Sequence, residues 1–218
     1  MPGFYGLSRL HGTACDLAYA FPVALGPVVL EGRHVRLEPL GIEHLDDLAR
    51  AGADPELWRW FPSALNTRPA MAAWIEEAVG LQRAGSEYAF AVIDRASGSA
   101  VGSTRYLDIS AQHRGVEVGW TWYSRASWAT AINPEAKYLL LSHAFEEWGA
   151  IRVCLKTDSL NLRSRAAILK LGGVHEGDLR NHRIRTDGTY RHSSYYSILD
   201  SEWPSVKDRL RARLSALR

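Results

Sequence analysis

"VEVGWTWYSRASWATAINPEAKYLLLSHAFEEWG", residues Val116 to Gly149, changes its periodicity twice. The opening run alternates apolar and polar residues, which is the period of a β-strand; Val116, Val118, Trp120 and Trp122 are expected on one face and Glu117, Gly119, Thr121 and Tyr123 on the other. A loop of small residues follows. The pattern then becomes helical, with Asn133 expected as the cap, Pro134 and Glu135 in the first turn and Gly149 just past the end. Next comes "IRVCLKT", a strand rich in β-branched residues. Strand, helix and strand in succession demand a right-handed crossover, so the two strands run parallel or nearly so.

Working outward, the remaining segments suggest antiparallel pairing around that unit. "HVRLEPL" (34–40) reads as a strand leading into the helical "GIEHLDDLARAG", which Gly52 stops. A second helix fits "RPAMAAWIEEAVGLQRAG", with Pro69 in its first turn and Met71, Trp74, Ile75, Ala78 and Val79 on a helical stripe. "YAFAVID" and "AVGSTRYLDI" form a hairpin that turns at Gly98. Past the crossover, "NLRSRAAILKLG" is a helix stopped by Gly172 and Gly173, "VHEGDLRNHRIRTDGTYRHSSYYSIL" is a hairpin turning at "TDG", and "SEWPSVKDRLRARLSAL" is a closing helix. The expected fold is α/β (α+β): a mixed, mostly antiparallel central sheet of about seven strands with helices on both faces.

Length and composition set bounds. A chain of 218 residues with 46% hydrophobic content can build one sizeable core. We expect a single domain over 28–218, preceded by a loosely packed leader, 1–27. Lys plus Arg number 26 against 24 for Asp plus Glu, so overall charge calls for neither nucleic acid nor an anionic membrane. The two cysteines, Cys15 and Cys154, do not make a disulfide framework, and a reducing cytoplasm is the expected location. No uncharged apolar run approaches the roughly 18 to 20 residues of a membrane helix.

The joint between strand and helix carries the first functional expectation. A helix N-terminus offers unsatisfied N–H groups and a partial positive charge, and a slim lead-in lets an anion approach them. Here the lead-in is Ser124, Arg125, Ala126, Ser127, Trp128, Ala129, Thr130 and Ala131. Loop chemistry alone equally describes an ordinary capped helix that meets only water, and that is its plainer reading.

Three stretches, "VEVGWTWY", "SWATAINPEAKYLLLSHAFEEWGAIRV" and "TDSLNLRSRAAILKLGG", resemble the GNAT superfamily of N-acetyltransferases, in detail its RimJ/RimL-like branch, and the likeness runs from about Val28 to Leu199. In that family the two crossover strands splay and hold the pantetheine arm of acetyl-CoA, whose pyrophosphate meets the loop before the helix. The resemblance implies that main-chain groups near Trp122 and Tyr123 hold the pantetheine and thioester. It further implies that Arg125, Ser127, Trp128, Ala129, Thr130, Ala131 and Ile132 wrap the pyrophosphate, and that Asn161 anchors the arm. One departure stands out: Ala129 and Ala131 occupy the family's loop-glycine positions and Ala126 its Arg/Gln position. Alanine resists positive φ, so a reshaped loop or weaker CoA binding is expected.

The resemblance also implies two catalytic groups. Glu117 is the candidate base, directly or through a water; its alternative is a solvated carboxylate paired across strands with Arg105. Ser164, in an Asn-x-x-Ser pattern with Asn161, is the candidate acid for the leaving thiolate, or else a helix-capping residue. Ile168 stands where many relatives carry a tyrosine acid. Cys154 reads as packing and His143 has no ligand-spaced partner, so no metal is expected. Trp58, Trp60 and Phe61 fall where the family builds an acceptor wall, with core packing as their default role. The hairpin's Arg180, His182, Arg183, Arg185, Arg191 and His192 are basic enough to dock an acidic tail or RNA, or simply to keep an edge strand soluble.

The implied function is acetyl transfer from acetyl-CoA to a primary amine, foremost a protein or peptide N-terminal α-amine of the ribosomal-protein type. Alternatives are a small-molecule amine or antibiotic acceptor and a catalytically idle CoA-binding module. A homodimer is compatible with the branch.

Overall fold

The computed structural model describes residues 26–185 and 187–217. The expected leader, Cys15 included, lies outside the described residues except for 26–27, as does Thr186 of the "TDG" turn. In chain order the elements are β1 (Leu30–Glu31), β2 (Val35–Pro39), α1 (Leu45–Ala51), α2 (Arg68–Arg83), β3 (Tyr88–Asp94), β4 (Ala100–Ser110), β5 (Gly115–Tyr123), α3 (Ile132–Ser142), β6 (Arg152–Asp158), α4 (Leu162–Leu171), β7 (Val174–Ile184), β8 (Tyr190–Leu199) and α5 (Trp203–Ala216). Among the described residues the strands form one eight-stranded sheet in the order β1-β2-β3-β4-β5-β6-β8-β7. The short β1 is the strand that sequence patterning missed, since a two-residue segment has no period to read.

Each face of the sheet is covered by helices because β3 alternates its side chains between two cores. Phe90 and Val92 join Val35, Leu37 and Tyr106 beneath Ala136, Leu140 and Leu141 of α3 and Val206 and Leu210 of α5. Ala89, Ala91 and Ile93 face the other way, against Leu45 and Leu48 of α1 and Met71, Trp74 and Ile75 of α2. The crossover pair is parallel, as expected: β5 meets β6 at Gly115↔Arg152, Val116↔Val153 and Glu117↔Cys154. Pairing stops there, although β5 continues to Tyr123 and β6 to Asp158. Beyond Glu117 each strand is held only on its outer side, β5 by β4 and β6 by β8. A gap opens between them.

A bulge in β5 corrects the expected alternation. Ser103 pairs with Trp122 and Arg105 with Gly119, so two steps along β4 match three along β5. The extra residue falls at Trp120, whose φ is +48°. A β-bulge inserts one residue and so reverses which face the following side chains take. Val116 and Val118 therefore share the α3 core with Tyr123, while Trp122 and Trp120 pack on the α1–α2 side.

Helix α3 departs from expectation at its start, while Gly149 falls just past its end as expected. Its N-cap is Ala131, with no side-chain cap, and Asn133 lies inside the first turn. Thr130 Oγ1 accepts from Ile132 N at 3.3 Å instead. At the far end the helix passes into a π-helical turn over His143–Glu147 before Gly149. Tyr106 donates its hydroxyl to Leu140 O at 2.6 Å, a side-chain insertion of the kind that widens a helix. The buried Glu135 side chain accepts from Arg33 N, His34 N and Val35 N at 2.9, 2.5 and 2.7 Å, fastening the start of α3 to the β1–β2 turn.

Candidate active site

Glu117 stands at the last paired position before β5 and β6 part. It is 3% exposed, and its Oε1 lies 2.8 Å from where a Cβ on Gly119 would sit, so the bare Gly119 makes room for the carboxylate. Its partner is Lys156, Nζ to Oε2 2.8 Å, and not the cross-strand Arg105. Lys156 also reaches Asp108 Oδ2 at 3.2 Å. Burial pushes the Glu117 carboxyl up to about 7, against the opposing pull of Lys156. Burial pulls the Lys156 ammonium down, but hydrogen bonding and charge from Glu117, with Asp108, outweigh it and hold the group high.

At the other end of the gap, the loop before α3 folds tightly upon itself. Ser127 N and Trp128 N donate to Ser124 O and Arg125 O, Ser124 and Ser127 share a hydroxyl contact of 2.9 Å, and Thr130 Oγ1 donates to Ser127 O at 2.7 Å. Ala129 adopts φ +61°, so the alanine takes up the left-handed conformation itself, while Ala131 is right-handed. Among the described residues no protein acceptor takes the amides of Ala129, Thr130 and Ala131. These amides lie at the positive end of α3, where helix N-termini bind oxyanions. Two buried polar atoms near the gap, Trp122 Nε1 and Tyr123 Oη, also lack a partner among the described residues.

Across the gap, Asn161 is the N-cap of α4 and accepts from Ser164 N at 3.1 Å. Its side-chain oxygen is therefore engaged in capping, and Ser164 sits half-buried in the first turn. Asn161 shares a cleft of about 320 Å³ with Trp60, Arg125 and Trp128, and with Arg59 and Arg163, which sequence reasoning did not select. Arg163 lies 3.6 Å over the Trp128 ring, and Arg125 stacks on the same ring at 5.1 Å while pairing with Asp54. A basic, aromatic-floored cleft beside free amides suits a phosphorylated ligand. Arg163 was present in the quoted "NLRS", but nothing in that pattern says that its side chain turns toward Trp128.

The α1–α2 side of the gap is aromatic. Trp58 packs against Phe61 and Trp122 at 5.4 and 4.9 Å, and Trp120 against Phe61 and Trp74 at 5.5 and 6.2 Å. Arg105 lies among these rings and pairs with Glu87 at 2.7 Å. On the opposite side Lys137 of α3 is buried, its Nζ 2.6 Å from Thr121 Oγ1 and 3.4 Å from Thr104 Oγ1. Burial lowers that amine to about 7.

Cys154, His143, Arg185 and His192 serve packing or local structure. Burial raises the Cys154 thiol to about 11, which suppresses the thiolate a nucleophile needs. His143 packs on Trp148 at 4.6 Å. In the basic hairpin, Arg185 is spent on the buried Asp158 at 2.8 Å and His192 accepts from Asn181 N.

Residues 34–174 match the family described as an acetyltransferase (GNAT) domain. The Bacillus subtilis (strain 168) protein YdaF, named for ribosomal N-acetyltransferase activity, is 29% identical over 110 residues, or 50% of this chain; the match spans 59% of YdaF. An acetyltransferase structure from T. thermophilus superimposes with a TM-score of 0.80 at 39% identity, covering 88% of this chain and 100% of its own. A GCN5-related N-acetyltransferase from Brucella melitensis gives 0.84 at 28% identity, covering 90% of each chain.

Proposed function

The chain belongs to the acetyltransferase (GNAT) domain family and is an acyltransferase, and from that premise we propose that it carries an acetyl group from acetyl-CoA to a primary amine, with the N-terminal α-amine of a protein or peptide as the acceptor class. The observation that carries the reading is the buried Glu117 at the point where β5 and β6 part, with unpartnered amides at the far end of the same gap. The name of the similar YdaF supports the acceptor class. A chain with two cysteines, of which Cys154 has no disulfide partner among the described residues, supports the cytoplasm as its place of work.

When bound, acetyl-CoA supplies an activated thioester, so the protein has to deliver a neutral amine, steady the carbonyl oxygen and see the thiolate away. Glu117, with its carboxyl pushed up to about 7, takes a proton from the amine directly or through one water. Lys156 holds the carboxylate in place. The nitrogen–carbon bond forms as the carbon–sulfur bond breaks, and main-chain groups of Trp122 and Tyr123 flank the thioester. The amides of Ala129, Thr130 and Ala131, with Arg125, Ser127, Trp128 and Ile132 around them, hold the pyrophosphate. Arg163 adds charge beside them. Asn161 positions the pantetheine arm, and Ser164 hydrogen-bonds the departing sulfur.

The test is thiol release and product mass with the full chain, acetyl-CoA and a panel of N-terminal peptides, polyamines and aminoglycosides. Acetylation of peptide α-amines is the expected result. Transfer to drugs or polyamines alone replaces the acceptor class, and CoA binding without turnover on any amine removes the mechanism.

A further inference from the structure

Arg105 is 3% exposed, yet among the described residues only one of its nitrogens has a hydrogen-bond partner: Nη1 donates to Glu87 Oε2 at 2.7 Å. Nε and Nη2 are buried and bond to nothing among the described residues. The guanidinium is held between two rings, 4.9 Å from Trp74 and 5.0 Å from Trp120. Stacking explains why a cation is tolerated there. It does not explain the in-plane N–H groups, because leaving a charged donor unsatisfied costs more than the 1–3 kcal/mol or so of a neutral one. A side chain serving packing alone would be more stable as an apolar residue.

Position supplies the missing purpose. Arg105 pairs with Gly119 and Glu117 with Leu107 on the same two strands. Gly119 has no side chain to separate them, and the Glu117 carboxylate leans over it. Arg105 and Glu117 are thus diagonal neighbours on the α1–α2 face, about 7–8 Å apart in backbone terms. Trp120, which closes one side of Arg105, is half-exposed and sits on a bulge at φ +48°, a backbone state disfavoured for a bulky residue. Its ring packs on Phe61 and Trp74 as well, at 5.5 and 6.2 Å. Glu87 already neutralises the guanidinium, so a second carboxylate would meet repulsion from Glu87. What the spare donors suit is an uncharged oxygen.

We propose that Arg105 is a specificity-determining residue, whose Nε–H and Nη2–H donate to the carbonyl oxygen one carbon away from the acceptor amine when that amine is at Glu117. The acceptor chemistry selected is an α-amino carbonyl, as at a peptide N-terminus, over a plain alkylamine. This rests on the acyl-transfer reading above and narrows it. A plain amine leaves both donors unpaired, whereas the α-amino carbonyl satisfies them; sites built around such bonds discriminate strongly against analogues that lack them.

The experiment compares kcat/KM for a short neutral peptide with that for an alkylamine of equal length, in the wild-type chain and in Arg105→Met. Taking the ratio of ratios cancels the difference in intrinsic amine reactivity. We expect the peptide-over-alkylamine preference to fall by roughly 10–100-fold in the variant, with CoA affinity by calorimetry unchanged. An identical preference in both proteins, or an equal loss on both amines, overturns the assignment while leaving acyl transfer standing. Failure of the wild-type chain to acetylate any amine overturns both.

Should Arg105→Met not fold, Arg105→Lys reads the same site, because it keeps a cation beside Glu87 and loses the forked donors. The peptide-over-alkylamine preference is then expected to fall at least about fivefold, roughly 1 kcal/mol. An unchanged preference with this variant overturns the proposal.

Discussion

At the scale of single residues, Ala129 and Glu117 each hold a state that their surroundings impose. Ala129 keeps φ +61°, where a Cβ costs about 1–2 kcal/mol. Glycine is free of that cost but loses more entropy on folding, so Ala129→Gly is expected to stabilise the protein by roughly 0.5–1 kcal/mol. That is the reverse of the usual sign, and thermal melting checks it; a lower Tm would mean that the loop is unstrained. Glu117→Gln is expected to lower kcat by about 10²–10⁴-fold. The wild-type pH profile should rise through about 7, where the buried carboxyl loses its proton, and the variant should lose that limb. A rising limb preserved in the variant would assign the base to another group.

At the scale of elements, α3 is fastened at its start by one carboxylate that takes three amides. Glu135→Ala leaves those donors without their acceptor. A loss of about 3 kcal/mol is expected, or roughly 6–12 °C in Tm for a domain of this size. Differential scanning calorimetry measures it, and a change under 2 °C or so would show that water replaces the carboxylate without penalty. The same elements show what sequence could and could not convey. Period and punctuation located the crossover, the Gly98 hairpin, the Gly172 stop and the parallel pairing, because each depends on local pattern. The bulge at Trp120 did not announce itself, since it arises from how β5 registers against β4 and reverses two tryptophans that alternation had placed on the other face. Glu117 was legible as a candidate, but its partner Lys156 comes from the next strand over, and Arg105 has a different acid in Glu87. Nothing in "NPEAKYLLL" singles out Lys137, because Thr104 and Thr121, which hold it, lie on two other elements, β4 and β5. Arg163 was hidden for the same reason.

At the scale of the whole molecule, two buried ionisable groups tilt stability in opposite directions. Glu117 has its pKa raised from 4.5 to about 7, so the folded state binds more protons than the unfolded one in that window, and stability falls as pH rises through it. Lys137 is lowered from 10.5 to about 7; the folded state binds fewer protons between those values, and stability climbs with pH there. Together they predict a trough near pH 7, which Glu117→Gln combined with Lys137→Met should flatten in urea denaturation across pH 4.5 to 10.5. A difference curve without an extremum near neutrality would show that these groups titrate normally. The Glu135 fastening has a practical bearing on how the chain can be shortened. The family match begins at residue 34, yet Arg33 supplies one of the three amides that steady the tip of α3. A version cut to the matched segment would therefore begin with a charged amino group inside the brace at the start of α3, and a stable minimal version has to start upstream of the chain's own recognisable border.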